Sequence, residues 1–272
     1  MILLHLMLAG SFMLAYLPVW RELLSAWSSS DDYSHGFFIV PIIGYILWRN
    51  KAELANVPRR TSRVGFVLFL GSLLVYIFAY YGEIRTLASF SLVTTLAGCV
   101  LFLYGPAMLK KLSFPLFFLL FMIPVPTQVY SSMTIPLQLI VSKASVWLVS
   151  IMGIPVLRDG NVIHLPGHTF EVVRACSGLR SLITLLTLST VVAYFTLNSN
   201  FLRVLLAVFA LPAAIAVNMI RVTLMIITYY FWNYDLTEGP THSAFGLVVF
   251  ILAIVLILML KGVLNHWDSP GR

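Results

Sequence analysis

Long apolar runs separated by short polar segments make up most of this 272-residue chain. Eight of the runs come close to the roughly 20 residues that a helix needs to cross a bilayer. They cover residues 1–20, 36–49, 64–82, 87–105, 112–125, 179–197, 203–231 and 243–261. Two of them, 36–49 and 112–125, are short, and run 203–231 contains Pro212, where we expect a kink. The pattern predicts an all-α polytopic membrane protein of about eight transmembrane helices, in a single domain that spans residues 1–272.

The composition agrees with a membrane protein and explains the positive net charge. The chain is 60% hydrophobic and 10% charged, against roughly 25% charged residues in soluble domains, so a soluble fold is excluded. Ten of the Lys and Arg residues fall in loops on one predicted side, and five fall on the other side with eight of the ten acids. The basic side is expected to be cytoplasmic and to hold both termini. The net charge of +7 therefore indicates topology, and no nucleic-acid partner is predicted.

One long connection, residues 126–178, is expected on the extracytoplasmic side. Its first part, 128–152, is apolar with scattered Ser, Gln and Lys, which predicts an amphipathic helix on the membrane surface. After Gly153 the residues alternate between apolar and polar, with turn signals at Asp159-Gly160 and Pro166-Gly167. We expect a small β-hairpin there, which leads the chain to the start of the sixth span.

A cysteine surrounded by charges stands at that start. The stretch FEVVRACSGLRSL, residues 170–182, sets Glu171, Arg174 and Arg180 around Cys176. A thiol at a helix start and near arginines is in the surroundings that make a cysteine nucleophilic. The alternative is that Cys176 is only a small apolar residue, as we expect for Cys99 in the fourth run. With two cysteines and no CxxC pair, the sequence predicts neither a disulfide nor a zinc site.

Three further residues could complete such a site. Arg221 lies in the apolar stretch AVNMIRVTLMII, where a guanidinium costs about 2.5 kcal/mol or more unless it faces a polar cavity or a partner. His242, after the turn Gly239-Pro240, begins the eighth span and could carry a proton. His35, at the outer end of the second span, is an equal rival for that role. A nucleophile, an oxyanion donor and a proton carrier are what nucleophilic acyl transfer requires.

These motifs together resemble the exosortase and archaeosortase family of membrane cysteine transpeptidases, and in particular its bacterial exosortase branch. The resemblance rests on RACSGLRS around Cys176, NMIR ending at Arg221, the His242 that follows GPT, and YSHG at 33–36. It implies that Cys176 is the nucleophile, that Arg221 stabilises the oxyanion, and that His242 is the general acid and base. It leaves open the roles of the further candidates for substrate binding, which are Arg174, Arg180, His35, Tyr33 and Asn218.

The resemblance also implies the substrates and the location. Bacterial exosortases resemble sorting enzymes that cleave a C-terminal tail from exported proteins; the tail has a Pro-Glu-Pro type motif, a transmembrane helix and a basic cluster. The chain would then sit in the bacterial inner membrane, among lipid, with its site facing outward. The acceptor that resolves the acyl-enzyme, water or an amine, stays open. No metal or organic cofactor is implied.

Two other classes of protein remain possible from the residues alone. A transporter or flippase would also place Arg221 along an anionic substrate path and break the seventh span. It would keep its activity without Cys176. A quinone-linked thiol oxidase would need a second thiol beside Cys176, and Cys99 lies inside another span. For Arg221, a purely structural pairing with Asp235 or Glu238 is the alternative to a catalytic role.

Overall fold

The structure is almost entirely helical, which confirms the predicted fold class. The computed structural model describes residues 2–172, 179–236 and 239–268, and it is 79% helical with a small sheet. The helices are α1 (Ile2–Ala15), α2 (Leu17–Ser29), α3 (Gly36–Arg49), α4 (Lys51–Ala55), α5 (Arg63–Tyr81), α6 (Arg85–Tyr104), α7 (Pro106–Lys111), α8 (Ser113–Phe118), a 3₁₀ turn (Leu119–Met122), α9 (Thr127–Ile151), α10 (Leu179–Thr196), α11 (Asn200–Trp232) and α12 (Gly239–Trp267). The strands are β1 (Leu157–Asp159), β2 (Val162–Leu165) and β3 (His168–Glu171).

Within the described ranges, six helices are long and apolar enough to cross a membrane, which differs from the eight expected. Five of the six, α5, α6, α10, α11 and the part of α12 from Ala244 to Trp267, match predicted spans. The expected spans 1–20, 36–49 and 112–125 are shorter helices or pairs of helices, because the chain breaks at Tyr16 and changes to a 3₁₀ turn after Phe118. Helix α11 runs through Pro212 as one element.

The sixth such helix is α9, which we expected to lie on the membrane surface. Its 25 residues are long enough to cross, and some of its polar residues are buried, whereas Lys143 is exposed. Ser142 and Ser145 are fully buried; Ser142 donates a hydrogen bond to the carbonyl of Gly160, and Ser145 to that of Met219. Trp147 on the outside is 62% exposed. Small polar residues inside and large apolar residues outside are typical of a membrane helix. Part of the polar face that we assigned to water is therefore buried in the protein, and the position of α9 at the membrane surface stays a prediction.

Contacts divide the chain into two compact units, Met1–Pro126 and Thr127–Arg272. In the first unit, α5 and α6 pack closely through glycines. A Cβ added at Gly65 would lie 2.2 Å from the backbone nitrogen of Phe102, and one added at Gly98 would lie 2.7 Å from that of Phe69. The two backbones therefore touch where a larger side chain would separate them, as small residues allow between membrane helices.

The first unit also holds the backbone of residues 121–125, where the chain leaves the 3₁₀ turn without starting another helix. Four side chains donate hydrogen bonds to four carbonyls of this segment. Trp27 donates to Met122 O (2.9 Å), His35 to Phe121 O (3.1 Å), Tyr33 to Val125 O (3.3 Å) and Thr86 to Pro124 O (3.5 Å). Carbonyls that no helix satisfies thus find partners inside the protein, which an apolar environment requires.

In the second unit, the expected hairpin is an antiparallel sheet of three strands, with order β1-β2-β3. Asp159 pairs with Val162 and Leu165 pairs with His168, so both connections are two-residue turns. Gly160 (φ +60°) and Gly167 (φ +83°) supply the positive φ angles that such turns need. The two predicted turns are therefore confirmed, and the third strand, β3, was not predicted as a separate element.

A hydrophobic cluster fixes the sheet to the helices of the second unit. Ile163, Leu165 and Phe170 of the sheet are buried against α9 and against Val222 and Ile226 of α11. Because alternate residues of a strand point to opposite faces, β2 and β3 contribute their apolar faces to this cluster. The sheet is thereby packed beside the part of α11 that carries Arg221.

Candidate active site

Arg221 lies on the buried side of α11. Its exposed fraction is 9%, and Asn218, one turn earlier on the same face, is 4% exposed. Val222 and Met225 beside it belong to the apolar core. A guanidinium in such surroundings needs hydrogen-bond acceptors, because a buried charge without a partner is strongly unfavourable.

His242, in the first part of α12, supplies one of these acceptors. Arg221 Nη2 lies 2.9 Å from His242 Nε2, and His242 Nδ1 lies 2.9 Å from the carbonyl oxygen of Leu236. A guanidinium only donates, so Nε2 must accept, and a carbonyl only accepts, so Nδ1 must carry the proton. The two contacts therefore define a neutral imidazole with its proton on Nδ1 and its basic lone pair directed at Arg221.

Gly246 makes room for the guanidinium on α12. It lies one helical turn after His242, and a Cβ added there would be 3.3 Å from Arg221 Nη2 and 3.6 Å from Cζ. That distance to Nη2 is shorter than an ordinary Cβ contact. Arg221 thus rests against a face of α12 formed by a histidine and a glycine four residues apart, as neighbours on a helix are.

Apolar and aromatic side chains surround this pair. Leu236 and Phe245 pack against the hydrophobic cluster of the sheet and α11, and so does Tyr229. The imidazole of His168 on β3 stacks on the ring of Tyr229 at 4.3 Å. Apolar side chains beside a polar pair lower the local dielectric constant, which strengthens electrostatic interactions.

The predicted site residues fall in different places relative to this pair. Cys176 and Arg174 lie outside the described residues. Arg180 is in the first turn of α10, which begins at Leu179 in the described part of the chain, and it is partly exposed. Asn218 lies on α11 next to Arg221. The structure thus brings together Arg221, His242 and the helix face of Asn218.

Tyr33 and His35 belong to the first unit, where each donates a hydrogen bond to the backbone of residues 121–125. His35 is buried, and burial lowers the pKa of this histidine below its usual value, which favours the neutral imidazole. Its Nε2 proton is engaged by the carbonyl of Phe121. In the first unit His35 therefore has a clear structural task.

Three contributors to the site were not predicted from the sequence: the carbonyl of Leu236, the close approach at Gly246, and the pair of His168 with Asp235 at 3.5 Å. Of these three, only Gly246 could have been found from the sequence, because it lies four residues after His242 and therefore on the same face of a helix. Among the described residues, no group of three or more His, Cys, Asp or Glu side chains is arranged to hold a metal ion.

The fold and this pair define a polytopic α-helical membrane protein with an arginine–histidine contact buried in its second unit. A family model described as transmembrane exosortase matches residues 27–259. The chain therefore belongs to the transmembrane exosortase family. Searches of curated proteins and of solved structures each found no match.

Proposed function

We propose that the chain is a cysteine transpeptidase or protease that cleaves the C-terminal sorting tail of exported proteins. The observation that carries the proposal is the contact of Arg221 with His242, two residues more than twenty positions apart, in a chain of the exosortase family. A buried guanidinium beside a neutral imidazole combines an electrophile for a carbonyl oxygen with a base for a thiol. Cys176, three residues before the described start of α10, is the proposed nucleophile.

The first step would use the lone pair of His242 Nε2. In the structure that lone pair accepts a hydrogen bond from Arg221. When a substrate carbonyl oxygen accepts the hydrogen bond from Arg221 instead, Nε2 becomes free to act as a base. The Cys176 thiol then gives its proton to Nε2, and the thiolate attacks the carbonyl carbon. Arg221 stabilises the oxyanion that forms.

The second step would release the tail. The tetrahedral intermediate collapses, the carbon–nitrogen bond breaks, and the proton on Nε2 passes to the leaving amine. A thioester between Cys176 and the exported protein remains. Water or an acceptor amine then attacks this thioester, gives its proton to His242 and regenerates the thiol. Throughout these steps Nδ1 keeps its proton, because the Leu236 carbonyl holds it.

The substrate would be presented by its own transmembrane helix. A motif tethered in this way meets the site at high effective concentration. Arg174 and Arg180 are the proposed partners of the motif carboxylate, because a guanidinium pairs with a carboxylate through two hydrogen bonds. Asn218 is a further candidate for substrate binding. In this proposal the site faces outward from the bacterial inner membrane, and both termini are cytoplasmic.

The test is coexpression with a tagged protein that carries such a tail, with processing measured for matched pairs of variants. We expect Cys176→Ala to abolish processing and Cys99→Ala, at the free thiol in α6, to preserve it. Arg221→Gln and His242→Ala should each lower the rate by about a thousandfold, as losses within a catalytic unit do. A thioester trapped on Cys176 would identify the intermediate. Full processing by Cys176→Ala would refute the proposal and favour the transporter class.

A further inference from the structure

The loop that supplies the Leu236 carbonyl to His242 is tied to the sheet by two side chains outside the arginine–histidine pair. His168 Nε2 on β3 lies 3.5 Å from the Oδ2 atom of Asp235. Asp235 is the residue immediately before Leu236, whose carbonyl oxygen lies 2.9 Å from His242 Nδ1. One side-chain contact and one peptide unit therefore connect the sheet to the imidazole.

Both partners of this tie are held in place by other contacts. The His168 ring stacks on Tyr229 at 4.3 Å and meets Phe170 edge-on at 4.4 Å. The loop 233–236 begins where α11 ends, at Asn233 in the left-handed conformation (φ +52°). The backbone amide of Asn233 donates a hydrogen bond to the carbonyl of Tyr229 at 2.8 Å. Tyr229 thus contacts the histidine of the sheet with its ring and the start of the loop with its backbone.

The position of the Leu236 carbonyl decides which nitrogen of His242 carries the proton. If the carbonyl moved away, a proton on Nε2 would become competitive, since Nδ1–H would lose its acceptor. In that tautomer the N–H group at Nε2 would point at the N–H group of Arg221 Nη2, and the two donors would repel each other. Its Nε2 would have no lone pair for the Cys176 thiol. The loop therefore maintains the form of His242 that the proposed reaction needs.

We propose that His168 and Asp235 are positioning residues for His242, so that the sheet is a working part of the active site. This inference rests on the proposed function. His168 and Asp235 touch neither the substrate nor the reacting atoms. They act through the Leu236 carbonyl. A shift of about 1 Å in a catalytic group can cost about a hundredfold in rate, so a loosened loop has a measurable effect.

The test compares processing rates and their pH dependence for variants of the contact between His168 and Asp235. His168→Phe keeps the stacking on Tyr229 and removes the nitrogen that faces Asp235; Asp235→Ala removes the carboxylate. We expect each to lower the rate by about 10- to 100-fold, and the double variant to be no slower than the slower single one. His164→Phe is the control, because this β2 histidine bonds to Thr169 within the sheet, and it should process at the wild-type rate.

The pH profile separates positioning from general support of the fold. The carbonyl holds the Nδ1 proton of His242, so a displaced carbonyl should move the acid limb of the pH–rate profile. A variant that only lowers the amount of folded protein would scale the profile without moving it. Asp235→Asn, which keeps an acceptor oxygen for His168, should restore most of the rate.

Three results would overturn the inference: rates within twofold of wild type for His168→Phe and Asp235→Ala, an unmoved acid limb, or additive losses in the double variant. If Asp235→Ala does not accumulate in the membrane, the contact is tested by His168→Phe, which should be slow, against Asp235→Asn, which should keep most of the rate. Failure of the proposed function has a different signature, since Cys176→Ala would then keep processing. Suppose that Cys176→Ala is inactive but His168→Phe and Asp235→Ala keep the wild-type pH–rate profile. The positioning role would then be rejected, and the proposed function would stand.

Discussion

Replacing Gly246 with alanine would put a methyl group against the Arg221 guanidinium. The added Cβ would lie 3.3 Å from Nη2, whereas ordinary contacts begin at 3.4 Å, so the guanidinium has to withdraw by a few tenths of an ångström. Its contact with His242, 2.9 Å in the structure, would lengthen to the weak end of the hydrogen-bond range. A displaced guanidinium would also bind the oxyanion less well. Half of a charge-assisted hydrogen bond to the oxyanion is about 1 kcal/mol, which corresponds to a loss of about fivefold in rate.

Gly262→Ala is the matched control for this experiment. Gly262 lies on the same helix, α12, and a Cβ added there meets nothing within 4 Å. Both variants gain the same backbone restriction, because alanine has less conformational freedom than glycine in the unfolded chain. Thermal stability should therefore be equal to or above that of the wild type in both variants. Only Gly246→Ala should process the tagged substrate more slowly.

The assay is the rate at which a tagged substrate loses its tail in membranes that contain equal amounts of each variant. Gly246→Val, with two more methyl groups pointing at the guanidinium, should be slower than Gly246→Ala. The reasoning would be refuted if Gly246→Ala and Gly262→Ala processed the substrate equally fast. Slow processing by Gly262→Ala as well would show that α12 tolerates no substitution, and the close approach to Arg221 would then explain nothing.

Two further predictions concern residues outside the site. The backbone amides of Asn198 and Ser199, which donate to the Asp268 carboxylate, lower the pKa of Asp268 below its usual value. Its contribution to stability is therefore complete above about pH 4 and is lost as the pH falls through the lowered pKa. Asp268→Ala should have a lower melting temperature at pH 7, and this difference should shrink in acid; a difference that is constant with pH would contradict it. His35→Ala leaves the buried carbonyl of Phe121 without its donor, which should destabilise the protein by about 1–3 kcal/mol and change the rate per folded molecule little. His35→Gln should recover part of the stability, and a stable His35→Ala that cannot process the substrate would instead assign His35 to catalysis.

The sequence predicted the helical membrane fold because apolar runs of spanning length have few alternatives. It placed Arg221 and His242 on the same side of the membrane, since the basic loops orient the spans and the length of α11 sets the depth of Arg221. It did not predict that their side chains touch. Contact depends on the rotation of α11 against α12, and a single sequence does not contain that rotation.

The buried polar side chains of α9 were not predicted, for a general reason. Serines 142 and 145 lower the hydropathy of this helix in the same way whether they face water or the carbonyls of Gly160 and Met219. Only the packing partners distinguish the two cases, and those partners are remote in sequence. The role of the Leu236 carbonyl could not be predicted either, because every residue type has a backbone carbonyl.

The four donors to residues 121–125 have a consequence for how the protein is made. Trp27, Tyr33, His35 and Thr86 all leave the ribosome before the carbonyls that they bind. The nascent chain can therefore form the hydrogen bonds of this non-helical segment as soon as the segment is synthesised, without waiting for residues 127 onward. Domains that fold in the order of synthesis expose less apolar surface to aggregation. The four hydrogen bonds of this segment can thus form before the second unit is synthesised.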